Sequence, residues 1–245
     1  MDYKQLLSKE AMHGIAKPIK TLRSAIYYHV RDSIINHKYK PNQRIHEKDI
    51  ASDFGVSTTP VREAFLKLES EGFLKINEHR GVIIKPLSYT ELIELYEVIG
   101  ALDGFAHLLA INHIDEIKLA EIKAYTTKME KLYNNDMIEE YLHVNGQLHS
   151  FIWEISSNVK LKLTLENTYG QILRYSAERL LLCSKSEIME NSMEGHRKIV
   201  SAFENIDTEN IEMTVRNHWS ISGIKSYSIE ISELKNLITI RNKNN

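Results

Sequence analysis

The chain of 245 residues predicts a mainly α protein: a small N-terminal helical domain closed by a β-hairpin, then an antiparallel bundle of about six helices. Three observations carry this reading. Apolar residues recur every three or four positions along most of the chain, the period of an amphipathic helix. Pro18, Pro41, Pro60 and Pro86 are the four prolines, so nothing after Pro86 breaks a helix in that way, and the chain changes character near Lys85–Ser88. Charge changes at the same place, with a net +5 over residues 1–86 and a net −7 over residues 87–245, inside an overall −2. A basic first part beside an acidic remainder suits two domains with different partners, the first of them a polyanion.

Residues 1–19 read as an N-terminal extension: charges are scattered through them and no apolar run marks a signal peptide. Leu22, Ile26, Val30 and Ile34 step by four and predict a helix over about Thr21–Asn36. Lys40-Pro41-Asn42 makes a turn, and a short helix over Glu47–Phe54 stops at Gly55. Val61, Ala64, Phe65 and Leu68 then define a second helix of the pair, stopped by Gly72. Phe73–Ile76 and Val82–Lys85 are two β-like runs around residues 77–81, a hairpin. Beyond Ser88 helices are expected at 88–112, 115–134, 137–156, 159–183, 187–205 and 207–236, with Ser88 and Glu91 forming a capping box at the first. The final residues, 237–245, read as a frayed tail. The single cysteine, Cys183, excludes a disulfide framework, and no stretch of about 18 apolar residues exists. A cytoplasmic protein without a membrane partner is expected.

Helix, short helix, glycine turn, helix and hairpin is the order of a winged helix-turn-helix, whose second helix enters the DNA major groove by its N-terminal residues. Those residues are Ser57, Thr58, Thr59, Pro60, Val61 and Arg62. Hydroxyls donate to phosphate oxygens, a helix N-terminus favours phosphate, and Arg62 lies one turn in, where a guanidinium can fork to guanine. The segments His46–Ala51, Gly55–Ala64 and Leu68–Leu74 closely resemble the GntR family of bacterial regulators, a similarity spanning residues 20–86. That resemblance implies DNA contacts by Lys48 and Arg62, phosphate contacts by Ser57 and Thr59, and a wing tip at Arg80-Gly81 reaching the minor groove. Lys48 and Thr58 stand where the family commonly has arginine. Lysine lacks the planar fork, so base readout at Lys48 is expected to be looser.

Eight of the eleven histidines, His107 among them, show no consistent partner in the pattern. His149, His196 and His218 each lie on the apolar stripe of their own helix, and Asn145 is one turn before His149 on the same face. Inward imidazoles need partners, because a buried polar group must be hydrogen-bonded or ligated. A shared metal in the bundle and separately satisfied core histidines both answer that need, and periodicity alone does not choose between them.

Residues 88–235 further resemble the FCD ligand-binding domain of the FadR-type branch of that family. The resemblance rests on Asn145-x-x-x-His149, Glu194-Gly195-His196-Arg197-x-Ile199, Asn217-His218, Leu95–Val98 and Leu102-Asp103. It implies a divalent ion (zinc, nickel or manganese) held by Asn145, His149, His196 and His218. Asn145 replaces the usual aspartate, so the four ligands are neutral and an anionic effector is expected to complete the coordination. Ile99 stands where members often carry arginine, which leaves Arg174 and Tyr175 as candidates for the effector carboxylate. The function implied is a homodimeric regulator, a repressor by expectation, binding a palindromic operator on double-stranded DNA under control of a small carboxylate effector. Its domains are 20–86 for DNA and 87–236 for sensing and dimerisation. Two rivals stand beside it. A helical metalloenzyme would use the same histidines, but no HExxH arrangement supplies a base and Glu194 is directed away from His196. An effector-independent DNA-binding module would use neither metal nor metabolite.

Overall fold

A computed structural model of the chain describes residues 21–77, 81–86, 88–175 and 185–220. Helix α1 (Leu22–Ile35) starts at a reciprocal cap: Thr21 accepts from the Ser24 amide, and Ser24 accepts from the Thr21 amide. Its inner face buries Ile26, Val30 and Ile34, the residues spaced by four in the sequence. A two-residue strand, β1 (Arg44–Ile45), was not expected, because two residues are too few for alternation to show. Helix α2 (Glu47–Phe54) ends at Gly55, whose φ of 65° lies in the left-handed region where a Cβ is disfavoured. Helix α3 (Thr58–Ser70) follows, with Pro60 in its first turn, where the missing N–H costs nothing.

Strands β2 (Leu74–Asn77) and β3 (Gly81–Ile84) pair antiparallel, with Leu74 opposite Ile84 and Asn77 opposite Gly81. β1 lies on the other edge of β3, giving the order β1-β3-β2. The hairpin strands sit one residue away from their expected places. Phe73 is fully buried ahead of β2 instead of pairing within it. Val61, Phe65 and Leu68 of α3 close the core of this unit against α1 and the sheet.

The bundle comprises α4 (Tyr89–Ile111), α5 (Glu116–Asn134), α6 (Ile138–Ile155), α7 (Val159–Leu173), α8 (Lys185–Glu204) and α9 (Ile211–Ser220). Asp115 and Asn158 accept from amides in the first turns of α5 and α7. Only half of the expected box forms at Ser88: its hydroxyl accepts from Glu91 N, but the Glu91 carboxylate takes Lys85 and the Tyr175 hydroxyl instead. The helix expected over 159–183 ends at Leu173, and residues 176–184 lie outside the described residues. The helix expected over 207–236 begins only at Ile211, because the Asp207 carboxylate accepts from Asn210 N and holds residues 207–210 in a turn. Its part beyond Ser220 lies outside the described residues. α4 runs through the middle, packed on α6, α7 and α9, and buries Tyr96, Ile99 and Ala106.

The bundle docks on the winged unit through the end of α7. Arg174, 2% exposed, donates from Nη1 to Gly72 O and from Nη2 to Lys85 O, both at 2.6 Å. The Tyr175 hydroxyl accepts from Ser88 N and donates to Glu91, each at 3.1 Å.

Candidate functional site

Two sites emerge, one at each end of the folded chain. At the first, the start of α3 projects outward. Lys48, Ser57, Thr59 and Arg62 are exposed and Thr58 is half-buried. Ser57 caps α3 by position yet makes no side-chain bond to it, which leaves its hydroxyl available to a phosphate. The Arg62 side chain is 66% exposed but oriented: Nε and Nη2 fork onto the Glu47 carboxylate of α2 at 2.8–3.2 Å. Nη1 has no acceptor among the described residues. Gly81, φ 75°, opens β3 in a left-handed conformation, while Arg80 lies outside the described residues.

The second site is inside the bundle. His149 on α6, His196 on α8 and His218 on α9 are all buried, and one ring nitrogen from each lies within 4.8 Å of the others. His149 Nε2 and His196 Nε2 face each other at 3.4 Å, and the His196 and His218 ring centres are 4.5 Å apart. Gly195 makes this approach possible, since a Cβ there would overlap the His218 imidazole. Asn145 donates to the Tyr169 hydroxyl at 3.3 Å, and its buried Oδ1 has no hydrogen-bond partner among the described residues. Burial, then the neighbouring imidazoles of His218, His149 and His107, hold the His196 pKa well below the ordinary histidine value. It is therefore neutral near pH 7, the form that offers a lone pair.

One residue changes the electrostatics of the centre. Asp103 on α4 is fully buried and accepts from the Trp153 indole at 2.6 Å and the Trp219 indole at 2.7 Å. His107 Nδ1 lies 3.0 Å from one of its oxygens and His149 Nδ1 3.1 Å from the other. Burial raises the Asp103 pKa, but the two imidazoles outweigh that and hold it well below the usual carboxylate range. With its Nδ1 turned to a carboxylate, His149 presents Nε2 to the centre as an acceptor. His196 Nε2 faces it within hydrogen-bond distance, where the tautomer decides which of the two accepts, and Asn145 Oδ1 has no donor among the described residues. A cation answers all of these acceptors, so the donor set fits a divalent ion. These candidate donor atoms are uncharged, yet a full negative charge stands directly behind His149.

Asp103 and His107 escaped the sequence reading, although a signal was present. They lie four apart on the apolar stripe of α4, where an aspartate demands donors. The structure does not bring Arg174 and Tyr175 to the histidines. Arg174 is engaged with the winged unit at Gly72 O and Lys85 O, and Tyr175 with Ser88 and Glu91 at the start of α4. Ile99, where an arginine was anticipated in relatives, is fully buried. Glu194 pairs with Lys198 on the surface of α8.

A surface for reading duplex DNA joined to a buried centre for a small ligand is the plan of a transcription regulator with a sensory domain. Residues 22–84 match the bacterial regulatory proteins of the gntR family, and residues 94–220 match the FCD domain. The chain belongs to the GntR family, in the branch that carries an FCD effector-binding domain. It is 30% identical over 187 residues to YdhC, an uncharacterized HTH-type transcriptional regulator of Bacillus subtilis (strain 168), covering 76% of this chain and 81% of that one. A probable D-xylose utilization operon transcriptional repressor of Paenarthrobacter nicotinovorans is 28% identical over 71% of this chain and 75% of its own. Among solved structures, Escherichia coli McbR/YncC superposes with a TM-score of 0.68 at 20% identity, over 93% of this chain and all of that one, and shares the fold. These families and relatives are regulators, not enzymes, and no described helix is long and apolar enough to cross a membrane.

Proposed function

We propose that this regulator is a cytoplasmic homodimer, a repressor, whose operator affinity is set by a small carboxylate at a metal centre in the bundle. Residues 20–86 form the DNA-binding domain and 87–236 the sensing and dimerising one, with 1–19 and 237–245 as extension and tail. Asn145, His149, His196 and His218 hold the ion, which supplies a Lewis-acid anchor for the effector's carboxylate. The single observation that carries the metal is the convergence of three buried ring nitrogens, one each from His149, His196 and His218, within 4.8 Å of one another, beside Asn145 Oδ1, which accepts no hydrogen bond among the described residues. Asp103 offsets one of the two positive charges, and the remainder still favours an anionic ligand.

DNA contact falls to Lys48, Ser57, Thr58, Thr59, Arg62, Arg80 and Gly81. Dimerisation is favoured by α4, whose outer face exposes Val98 at 47% and Phe105 at 44%, apolar surface seven residues apart on a helix already buried on its other side. A twofold dimer reads a palindrome. Competition binding at fixed salt tests the reading, with a palindromic site selected from random duplexes set against its scrambled sequence. The palindrome is expected to bind at least about a thousandfold more tightly. Equal affinity leaves only counterion release and rejects sequence-specific regulation. Arg62→Ala should cost about 1–3 kcal/mol and flatten preference at one base pair. Elemental analysis of the purified protein should return about one divalent ion per chain, and sedimentation should return two chains per particle.

A further inference from the structure

Glu47 is the first residue of α2, where the backbone N–H groups of the helix end favour a negative charge. From there its carboxylate reaches α3 and takes the Arg62 guanidinium side-on. Nε lies 3.1 and 3.2 Å from its two oxygens, and Nη2 lies 2.8 Å from one of them. No other carboxylate lies within ion-pair distance of Arg62 among the described residues. The Glu47 side chain is 23% exposed against 66% for Arg62, so the acid is the seated partner and the arginine the projecting one.

An exposed pair of this kind adds little to stability, because solvent screens it and two long side chains lose freedom in making it. What it supplies is orientation. A guanidinium carries five N–H bonds in one plane. Glu47 occupies Nε–H and the inner N–H of Nη2. The outer N–H of Nη2 and one N–H of Nη1 then point the same way from the far edge of the plane. Two parallel donors at that spacing match O6 and N7 of guanine. Adenine and cytosine each place a donor of their own in the way, and thymine offers a single acceptor. An unpartnered arginine turns either edge to any phosphate, whereas this one presents a single edge. The carboxylate also acts on the duplex directly. A negative charge beside the groove opposes phosphate contact on every sequence alike, and the guanine contact recovers that loss only at the right base.

We propose that Glu47 is the positioning residue of the operator-reading surface: it fixes the Arg62 guanidinium so that its Nη1–Nη2 edge reads one guanine in each half-site, and it disfavours binding through phosphates alone. This rests on the reading that Arg62 contacts operator bases.

The test is Glu47→Gln in the full-length protein at fixed salt. Affinity is measured for the selected palindrome, for the palindrome with each base pair of both half-sites changed in turn, and for the scrambled duplex. Ratios within one preparation do not depend on how much of it is active. The parent is expected to prefer guanine at one position of each half-site by about tenfold or more. In Glu47→Gln that preference should fall below about threefold with the other positions unchanged, while the scrambled duplex binds about two- to fivefold more tightly. Arg62→Ala should flatten the same position, and adding Glu47→Gln to it should change no position further. If Glu47→Gln keeps the guanine preference, or weakens palindrome and scrambled duplex equally with the pattern intact, Glu47 only braces α2 against α3 and the proposal is overturned. Flattening by Arg62→Ala would in that case leave the reading of Arg62 standing. If Arg62→Ala alters the preference at no position, that reading falls and the proposal falls with it.

Discussion

Asp103 shows how one residue organises a site it does not itself complete. Its two oxygens face two indole N–H groups and two imidazoles drawn from α4, α6 and α9, so its charge is matched by donors on every side. Asn at this position keeps the shape but offers one acceptor and introduces two donors against existing donors. Asp103→Asn should lower metal affinity by about 10–100-fold, the range for an outer carboxylate behind a ligating histidine, and should destabilise the metal-free protein by about 3–5 kcal/mol. Competitive chelator titration and urea melts read the two effects separately, and unchanged metal affinity would show that His149 needs no orienting partner. Asp32 is the opposite case. It sits in the last turn of α1, against the negative end of the helix dipole. Burial pushes its carboxyl up to about 6, with Arg31 and Lys38 opposing. The folded state thus holds this proton more tightly than the unfolded chain. The stability that follows is fully present below about pH 4 and is lost as pH rises through about 6. Asp32→Asn removes the buried charge, so the variant should be more stable than the parent at pH 7.5. Because the side chain is 31% exposed, the gain is about 1 kcal/mol rather than the full value of the shift. The gain should vanish by about pH 4, and a difference constant from pH 4 to 8 would assign it to something other than this titration.

At the scale of elements, the meeting of α8 and α9 decides whether three helices can share one ion. His218 reaches the centre across the backbone of α8 at Gly195, the one place on that helix face without a side chain in its way. Gly195→Ala should displace the imidazole, cost about 1–3 kcal/mol as an overpacked core does, and reduce the bound metal to well under half an equivalent. Retention of a full equivalent would remove His218 from the ligand set. The pairing of Gly195 with His218 could not be read from sequence, because it depends on which two helices meet and at what height. Periodicity did place His149, His196 and His218 on inward stripes, and four of the six bundle helices fell within two residues of their expected bounds, because burial of one face is a local property of the sequence. Failures came where a local rule lost to a distant partner. Glu91 left its capping box for Lys85 and Tyr175, and β1 was too short to show alternation. Arg174 and Tyr175 looked like ligand residues only because their acceptors lie 84 to 102 positions away in the chain, those of Arg174 in the other unit.

For the whole molecule, that misreading becomes the point of interest, since a regulator needs its sensory and DNA-binding units to share one equilibrium. α7 spans the two: Tyr169 packs against Asn145 and His149 at the buried centre, and the same helix ends one turn later in Arg174, seated on Gly72 O and Lys85 O. Both carbonyls lie where the wing joins its neighbours, Gly72 between α3 and β2 and Lys85 just after β3. A displacement of Tyr169 by an occupant of the centre is therefore carried by a rigid helix to the base of the wing, with no change required inside the winged unit. Removing Arg174 should leave each unit folded and disconnect them. Arg174→Ala loses two charge-assisted hydrogen bonds to carbonyls, about 2–4 kcal/mol at the junction. Calorimetry should then resolve two transitions in place of one cooperative melt. Metal content should stay at the parent's value, and operator binding should persist but no longer respond to effector. If Arg174→Ala melts in a single transition and keeps the full effector response, coupling does not run through α7, which is then only a structural support.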